Sequence, residues 1–384
     1  MKLINEIINQ QEQISQWRQD LHKIPELAFQ EHKTADYIET ILRGLDVTIH
    51  PRMAGTGLIA SITSGKSDKT IALRADIDAL PIDEKNELGY CSTHSGCMHA
   101  CGHDGHSAML LGAVQYLSKH RNFDGTVYFI FQPAEENEGG GRKLVEEGIF
   151  TKFKIDAIYG MHNWPGIEVG KFATRTGALM AAYDVFDIQI NGKGGHAAKP
   201  HMSIDPIIIT AQLITALQHI CSRQTDPLES AVVSITRVRS GEGYNVIPQT
   251  ARLSGTVRTF SAAIQENIIQ QIQQISESIC QAYGATCTIN YRKCYPATIN
   301  DEIETQQAIE AIKTVVGEDN LILDNPPSMG SEDFSFLVNE CQGSYVHIGN
   351  GQSASLHNDH YNFNDQILTI GASYWVTLVK QQLI

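Results

Sequence analysis

Several features are missing from this sequence, and each absence excludes a class of protein. No stretch approaches the roughly 20 consecutive apolar residues that a membrane-spanning helix needs, and the first turns of the chain lack the apolar run of an export signal. No run of Lys and Arg is present, and the formal net charge of −14 would repel the phosphates of a nucleic acid. We therefore expect a cytosolic protein that binds neither membranes nor nucleic acids.

Paired cysteines are missing as well. The eight cysteines are scattered, and no two have the C-x-x-C spacing of a zinc or redox motif. Free thiols are the ordinary state of cysteines in a cytosolic chain of this length. We predict that seven of them are ordinary free thiols, and that Cys101 has a separate role.

The composition is that of a folded protein, because 42% of the 384 residues are hydrophobic and 19% are charged. Over roughly the first half of the chain, the hydrophobic pattern predicts strands that alternate with helices, which is typical of an α/β domain. The predicted strands are 58–60, 70–73, 126–131 and 157–159, and the predicted helices are 14–24, 34–42 and 108–117.

The order of elements changes near residue 180. From there the pattern predicts β-α-β-β-α-β, the order of a split ferredoxin-like unit. Its strands are predicted at 183–190, 231–238, 251–260 and 286–291, and its helices at 205–221 and 262–283. We therefore predict a ferredoxin-like α+β domain at 179–293, inserted into an α/β domain that consists of 1–178 and 294–384. Two further helices, 302–316 and 367–383, are predicted in the last part of the chain.

The open four-stranded sheet of the predicted insert would leave two edge strands unpaired. Pairing with a second copy is one way to cover such an edge, so we expect a homodimer through the inserted domain. An edge protected by charges or loops is equally compatible with the pattern.

A dense cluster of polar residues extends from His99 to His106 and contains three imidazoles, a thiol and a carboxylate. Thiolate and imidazole are good ligands for zinc and related metals, and Gly102 allows the backbone to turn so that Cys101 and His103 can face one ion. A polar surface loop is the alternative interpretation.

Two adjacent acids, Glu135 and Glu136, follow the apolar strand predicted at 126–131. Acids at a strand end are usually solvent-facing. A hydrolytic metal centre, however, needs one carboxylate to hold an ion and another to take a proton from water. The carboxyl end of a strand in an α/β sheet is where such sites open. The glycines 139–141 that follow are predicted to form a turn, because they lack the context of a phosphate loop.

Two more histidines complete the pattern. His162 follows the strand predicted at 157–159, and His357 lies in a polar segment near the C-terminus. One such histidine alone is more often structural than metal-binding. Four polar clusters within one predicted domain, most of them just after predicted strands, together favour a metal site.

The residues of these segments, and their order along the chain, closely resemble the sequence motifs of the M20 family of metallopeptidases and amidohydrolases, and in particular those of its subfamily D. That subfamily includes hippurate hydrolases, N-acetyl-diaminopimelate deacetylases and plant auxin-conjugate hydrolases. The resemblance extends nearly end to end, through residues 18–27, 74–82, 99–106, 132–136, 192–198, 245–248, 255–258, 329–334 and 356–357. It implies a metallopeptidase-type catalytic domain with an inserted dimerisation domain.

Carried over by position, the resemblance implies a centre of two divalent metal ions, with Glu135 as the general base. Asp78 resembles the aspartate that orients the centre without binding metal. Cys101 stands where most other branches have a bridging aspartate, so a bridging thiolate is implied, and His103 takes over the role of the ligand that other branches have at Asp76. The implied metal ligands are Cys101, His103, Glu136, His162 and His357.

The resemblance also implies substrate-binding residues in the insert. His196 resembles a residue that reaches over from the partner subunit to stabilise the carbonyl oxygen. Arg258 resembles the clamp for the substrate carboxylate, and Asn245 its hydrogen-bonding neighbour. One departure is at Asp359 and His360, where relatives usually have Pro and a basic residue, so the local loop and its contribution to the pocket differ. His99, His106 and His360 are expected to be structural or to support the ligands.

The function implied is metal-dependent hydrolysis of the amide bond of N-acyl amino acids, such as N-acetyl or N-benzoyl compounds. Dipeptidase or carboxypeptidase action with the same centre is the first alternative, and an inactive, dimeric ligand-binding protein is the second. The ligand set suits zinc but also admits manganese, cobalt or nickel. The preferred acyl group and amino acid are left open.

Overall fold

The computed structural model describes residues 1–136 and 138–384. Strands and helices alternate along the first part of the chain. The chain forms two units. The first comprises Met1–Leu179, Thr298–Pro326 and Asp333–Ile384, and the second comprises Met180–Ala297 and Pro327–Glu332. Among the described residues, no helix is long and apolar enough to cross a membrane.

The first unit begins with helices and continues with alternating strands and helices. Its N-terminal elements are α1 (Asn5–Ile8), α2 (Gln11–His22), α3 (His32–Arg43), β1 (Thr48–Ile49), β2 (Leu58–Ser64), β3 (Thr70–Asp76), α4 (His103–Lys119), β4 (Gly125–Gln132), α5 (Gly140–Glu146), α6 (Ile149–Lys152), β5 (Ala157–Pro165), β6 (Phe172–Ala173) and β7 (Gly177–Met180).

The second unit contains β8 (Ala182–Asn191), β9 (Gly195–His196), α7 (Pro206–His219), β10 (Ala231–Ser240), β11 (Val246–Ile247), β12 (Thr250–Thr259), α8 (Ala262–Ala282) and β13 (Thr286–Tyr295). The chain then returns to the first unit with β14 (Thr298–Asn300), α9 (Glu302–Val316), β15 (Leu321–Ile322), α10 (Phe334–Glu340), β16 (Gly343–Gly351) and α11 (Leu368–Gln382). Short 3-10 segments occur at Pro200–Met202, Glu318–Asn320 and Asp365–Ile367, and a π-helical segment occurs at Ile220–Gln224.

An eight-stranded mixed sheet organises the first unit, in the order β1-β2-β4-β3-β5-β16-β6-β15. Its four central strands, β4, β3, β5 and β16, are mutually parallel. A sheet covered on both faces buries its central strands completely, and all seven residues of β3 are buried. The largest apolar cluster combines strand residues such as Leu73 and Phe129 with helix residues such as Leu110 and Trp375. The α/β class predicted from the sequence is confirmed.

Strand β16 is the main element that the sequence analysis did not predict. Its sequence, Gly-Ser-Tyr-Val-His-Ile-Gly-Asn-Gly, contains three glycines and few apolar residues, so it lacks a strand signature. It nevertheless lies in the middle of the sheet between β5 and β6, and eight of its nine residues are buried.

In the second unit, four antiparallel strands form a sheet in the order β10-β12-β8-β13. Burial alternates along β8 and β12, as expected for a sheet that is covered on one face. Buried residues such as Ile188 and Leu253 join Leu213 of α7 and Ile272 of α8 in a separate apolar core. The chain order β8-α7-β10-β12-α8-β13 is the predicted β-α-β-β-α-β order.

Candidate metal centre

The first residues of the site lie at the carboxyl ends of two neighbouring parallel strands, β3 and β4. Asp76 at the end of β3 is in register with Gln132 at the end of β4. Asp78 lies two residues beyond β3, and Glu135 lies three residues beyond β4. The backbone N–H of Glu136 donates to Oδ2 of Asp78 at 2.9 Å, which ties the two loops together. Parallel strands therefore bring side chains from distant segments to one edge of the sheet.

The Cys101–His103 turn enters the same region at the start of α4. Gly102 has a φ of +92°, which favours glycine. A Cβ atom there would lie 2.3 Å from Oδ1 of Asn163, so a larger residue would also clash. The turn predicted at this glycine is present. The segment of His357 is attached to the same loop, because the N–H of His357 donates to the carbonyl of Ala100 at 2.8 Å.

The predicted ligand side chains meet in overlapping groups. Within each group, the atoms that could bind a metal lie within 4.8 Å of one another. The groups are Cys101 with His103 and His162, Cys101 with Glu136 and His357, and His103 with Glu135 and Glu136. Cys101 belongs to two of them, which is the arrangement that a thiolate shared by two ions requires.

His162 lies within β5 rather than after it, because the strand extends to Pro165 and not only to Tyr159. Its Nδ1 is 2.6 Å from the carbonyl oxygen of Asn163, and its Nε2 is 3.4 Å from Sγ of Cys101. Burial and the neighbouring His106 hold its pKa well below the usual range. With Nδ1–H donating to the carbonyl, the neutral ring presents the Nε2 lone pair, as a metal-binding imidazole must.

His103 is oriented in the same way by Asp78. Its Nδ1 lies 2.9 Å from the backbone oxygen of Asp78 and 3.2 Å from Oδ1. Its Nε2 is buried and has no hydrogen-bond partner among the described residues. Burial alone would lower its pKa, but Asp76, Asp78 and Glu136 raise it to about 10. The same negative charge would favour a metal cation at Nε2.

The Cys101 thiol lies among these groups and is buried, with 7% of the residue exposed. Burial first, and then Glu136 and Glu135, raise its pKa well above the usual range. A thiolate at this position therefore needs a cation beside it, and a metal ion is such a cation. Glu136 and His357 are in contact across from the thiol, with 3.1 Å between Oε1 and Nε2. The donor set and its charge thus fit divalent metal ions.

Other histidines near the centre have different surroundings. His106 has both ring nitrogens engaged, Nδ1 at 2.6 Å from Asp76 and Nε2 at 2.7 Å from Oδ1 of Asn163. His99 is buried, and burial lowers its pKa to about 3. His360 is exposed and lies 2.7 Å from the carboxylate of Asp359. None of the three belongs with Cys101 in a candidate group of the described residues.

Glu135 is buried, with 6% of its surface exposed, although it lies in a loop. Its Oε1 is 3.4 Å from the backbone N–H of Asp333. It shares a candidate group with His103 and Glu136 but not with Cys101. A carboxylate placed at the margin of a ligand cluster has the geometry of a proton acceptor.

In the second unit, the predicted substrate residues are separated into two sets. His196 pairs with Val246 in the short β9–β11 ladder, and Asn245 is adjacent to it. Arg258 lies near the opposite end of β12, since Thr250 is opposite Asn191 and Arg258 is opposite Tyr183. Eight residues of strand correspond to roughly 26 Å. His196 and Asn245 therefore lie together, far from Arg258 of the same chain.

The Arg258 guanidinium is half-buried and held in place by two neighbours. Its Nη1 donates to Oγ of Ser331 at 2.9 Å, and its Cζ is 4.2 Å from the ring centroid of Tyr183. Burial lowers its pKa below the usual value. A fixed guanidinium of this kind suits a carboxylate, because it can donate to both oxygens.

A buried ionic network behind the centre was not predicted. His22 lies between two acids, with Nδ1 at 2.8 Å from Asp104 and Nε2 at 3.2 Å from Glu84. Arg18, one helical turn earlier, bonds Asp365 at 2.7 Å. The sequence feature that could have indicated this network is the spacing of Arg18 and His22, two basic residues four positions apart on an otherwise apolar helix face.

The pH dependence of stability tests this network. Burial alone would lower the pKa of His22, but Asp104 and Glu84 raise it from 6.5 to about 9. Such a group stabilises the fold fully below its unfolded pKa, and the contribution is lost as the pH rises through the folded pKa. We expect the free energy of unfolding to fall between pH 6.5 and about 9, and to fall less in His22→Gln. Urea unfolding across this range measures both, and identical pH profiles would contradict the assignment.

The chain is similar to known proteins over nearly its whole length. Residues 72–381 match the model of Peptidase family M20/M25/M40. The chain is 38% identical over 383 residues to a hippurate hydrolase of Campylobacter jejuni, with 100% of both chains covered. It is 40% identical over 364 residues to an N-acetylcysteine deacetylase of Bacillus subtilis, with 94% of both covered. A crystal structure of a dinuclear metal-binding peptidase of the M20 family from Bacillus subtilis has a TM-score of 0.87 and 36% identity, covering 97% of this chain and 98% of that one.

Proposed function

The chain belongs to peptidase family M20/M25/M40, and from this membership we propose that it hydrolyses the amide bond of N-acyl amino acids. The products are a carboxylic acid and a free amino acid. Relatives similar over the whole chain are a hippurate hydrolase and an N-acetylcysteine deacetylase, and both names describe the cleavage of an acylated amino acid. The observation that carries the proposal is the meeting of one thiol, three imidazoles and a carboxylate, with a second carboxylate beside them.

We propose that this centre holds two divalent metal ions, which is consistent with the dinuclear peptidase of known structure. When bound, such ions polarise a carbonyl group and lower the pKa of water toward roughly 7. Zinc suits the thiol and imidazoles best, whereas manganese, cobalt and nickel are also compatible with the mixed donor set. The ligands in this proposal are Cys101, His103, Glu136, His162 and His357.

Glu135 is the proposed general base. Its carboxylate takes a proton from the attacking water and returns that proton to the amine nitrogen as the C–N bond breaks. Its burial at 6% exposure reduces competition from bulk water. Asp78 is proposed to orient His103, because it accepts from Nδ1 of that ring and also from the N–H of Glu136. Such supporting residues are worth roughly 10- to 100-fold in metal affinity or activity.

Arg258 is proposed to bind the carboxylate of the amino acid part of the substrate. Ser331 and Tyr183 hold the guanidinium, and no carboxylate of the described residues forms an ion pair with it. A charge-assisted pair with the substrate is stronger than a neutral hydrogen bond. This role would restrict the substrates to amides that carry a free carboxylate.

His196 and Asn245 are proposed to act on the substrate of a partner subunit, within a homodimer. Roughly 26 Å of strand separates Thr250, at the end of β12 that follows β11, from Arg258 near the other end, which supports this arrangement. If both sets contact one small substrate, they come from different copies of the chain. The exposed edge strands β10 and β13 are available for pairing between copies.

Mixing two inactive variants tests the shared site. Co-expression of Glu135→Gln with His196→Ala yields heterodimers in which one of the two sites has an intact Glu135 and an intact His196 from the other subunit. Random assembly in a twofold dimer would restore about a quarter of wild-type activity. Co-expression of Glu135→Gln with Cys101→Ala is the control, because both changes lie in the first unit and no intact site forms. No recovery in the first mixture would place His196 in its own subunit's site or outside any site.

A hydrolysis screen tests the proposed function itself. Purified protein is incubated with N-acetyl amino acids, N-benzoyl amino acids and dipeptides, each with zinc, manganese, cobalt or nickel, and release of free amine is measured. We expect release from the acylated amino acids, suppression by a chelator, and recovery on addition of metal. Cleavage of dipeptides alone would indicate a peptidase, and no release from any compound would leave a binding protein as the better interpretation.

A further inference from the structure

Arg74 is a fully buried arginine whose three donor groups all face partners. It lies in β3 with 1% of its surface exposed. Nε donates to Oε1 of Gln132 at 2.9 Å, Nη1 to Oδ2 of Asp76 at 2.7 Å, and Nη2 to Oδ1 of Asp333 at 2.8 Å. An enclosed guanidinium needs such compensation, because an unpaired buried charge is strongly destabilising.

The carboxylate of Asp333 is held from several sides. Besides Arg74, the amide of Gln132 donates to its two oxygens at 2.7 and 2.9 Å, and the backbone N–H of Gly141 donates to Oδ2 at 2.7 Å. A Cβ atom on Gly141 would lie 2.6 Å from the carbonyl oxygen of Asp333. Glycine at position 141 therefore permits a close approach that fixes the Asp333 backbone.

The Asp333 backbone is in turn in contact with Glu135. Its N–H donates to Oε1 of Glu135 at 3.4 Å, and Asp333 itself is 0% exposed. Arg74 thus connects two branches. One branch passes through Asp76 to His106 at 2.6 Å, and the other passes through Asp333 to Glu135. A reacting group must be held within about 0.5 Å of its working position, and this network supplies such a constraint.

We infer that Arg74 and Asp333 are positioning residues that hold the carboxylate of Glu135 for proton transfer. The inference rests on the proposed function of Glu135. The side chain of Asp333 fixes its own backbone, and the backbone N–H directs one oxygen of Glu135. In this proposed role neither Arg74 nor Asp333 contacts the substrate.

Asp333→Asn is the first test, because it keeps the shape of the side chain and removes the charge that pairs with Arg74. Outer partners of this kind contribute roughly 10- to 100-fold. We expect kcat to fall by that factor, while KM and the bound metal content stay at wild-type values. A fall in kcat with unchanged KM indicates an interaction needed in the transition state rather than in binding.

A double-mutant cycle separates positioning from a general structural effect. In a Glu135→Asp background the shorter carboxylate is withdrawn from the Asp333 N–H, so Asp333→Asn should lower the remaining kcat by much less than in the wild type. Two independent effects would instead multiply. A multiplicative result, or unchanged kcat in Asp333→Asn alone, would overturn the inference.

Two further variants complete the design. Asp156→Asn is the matched control, because Asp156 also accepts a backbone N–H, from Thr70 at 2.8 Å, but lies outside this network; its kcat should be that of the wild type.

If Asp333→Asn proves insoluble, Gly141→Ala displaces Asp333 without a charge change and should give the same kcat pattern. Wild-type protein that releases no amine from any acylated amino acid would refute the proposed function, whereas an active wild type with a normal Asp333→Asn would refute only the positioning role.

Discussion

Glu135→Gln is expected to lower turnover of an N-acyl amino acid by roughly 10²- to 10⁴-fold, the range of general acid–base catalysis. The amide has nearly the same shape as the carboxylate but does not accept a proton at neutral pH. It can still accept the backbone N–H of Asp333, which lies 3.4 Å from Oε1. Metal content should stay at the wild-type value, because Glu135 is the carboxylate that the proposal leaves unbound.

The measurement is a steady-state assay together with elemental analysis of the same preparation. Glu138→Gln is the matched control, because Glu138 lies in the same loop and is exposed; its activity should be that of the wild type. Full activity in Glu135→Gln would remove Glu135 from the mechanism. Loss of metal together with activity would instead make Glu135 a ligand.

Cys101→Ala is expected to have a similarly large effect for a different reason. One candidate group of ligands contains His162 and another contains His357. Among the described residues, only the thiol of Cys101 belongs to both groups. Its removal would weaken both ion positions, so we expect lower metal content and an activity loss above about 100-fold, since even an outer-shell partner is worth roughly 10- to 100-fold.

Cys97→Ala provides the comparison for this change. Cys97 is also a buried free thiol, four residues away, and it belongs to none of the candidate groups of described residues. Equal metal content and activity in Cys97→Ala and wild type, with loss of both in Cys101→Ala, is the expected result. Normal metal binding by Cys101→Ala would show that the thiol is not a ligand.

Prediction from sequence succeeded for elements whose own residues determine their structure. The helix predicted at 302–316 is observed at Glu302–Val316, and that predicted at 262–283 is observed at Ala262–Ala282. Both have a regular apolar face, which is a local signal. The strand predicted at 126–131 is observed at Gly125–Gln132 for a similar reason.

Elements that depend on their surroundings were missed or misplaced. Strand β16 is stabilised by its neighbours β5 and β6 rather than by apolar residues of its own. The glycines 139–141 were predicted as a turn, but Gly140 and Gly141 begin α5. Only glycine fits at Gly140, because a Cβ atom would lie 1.7 Å from the carbonyl oxygen of Pro133, and a close approach of this kind is not visible in a local pattern.

The candidate site shows the same division. The clusters around Cys101 and Glu135 are dense enough to be identified in a short segment of sequence. The partnership of Arg74 with Asp333 joins positions 259 residues apart, and the segments that contain them, although singled out in the sequence, did not indicate that the two side chains meet. Such pairings are determined by sheet order and packing, and they become evident only from the folded structure.

The position of β16 has a consequence for biosynthesis. This strand lies in the interior of the sheet, yet it is translated only after the whole second unit, and His357 follows six residues after its end. A nascent chain therefore carries Cys101, Glu136 and His162 throughout the synthesis of residues 163–342, while the sheet lacks an inner strand. Domains generally fold as units once their residues are available, so the sheet and the proposed metal centre are complete only after residue 357 has been translated. Premature termination before residue 343 would leave an open sheet prone to aggregation.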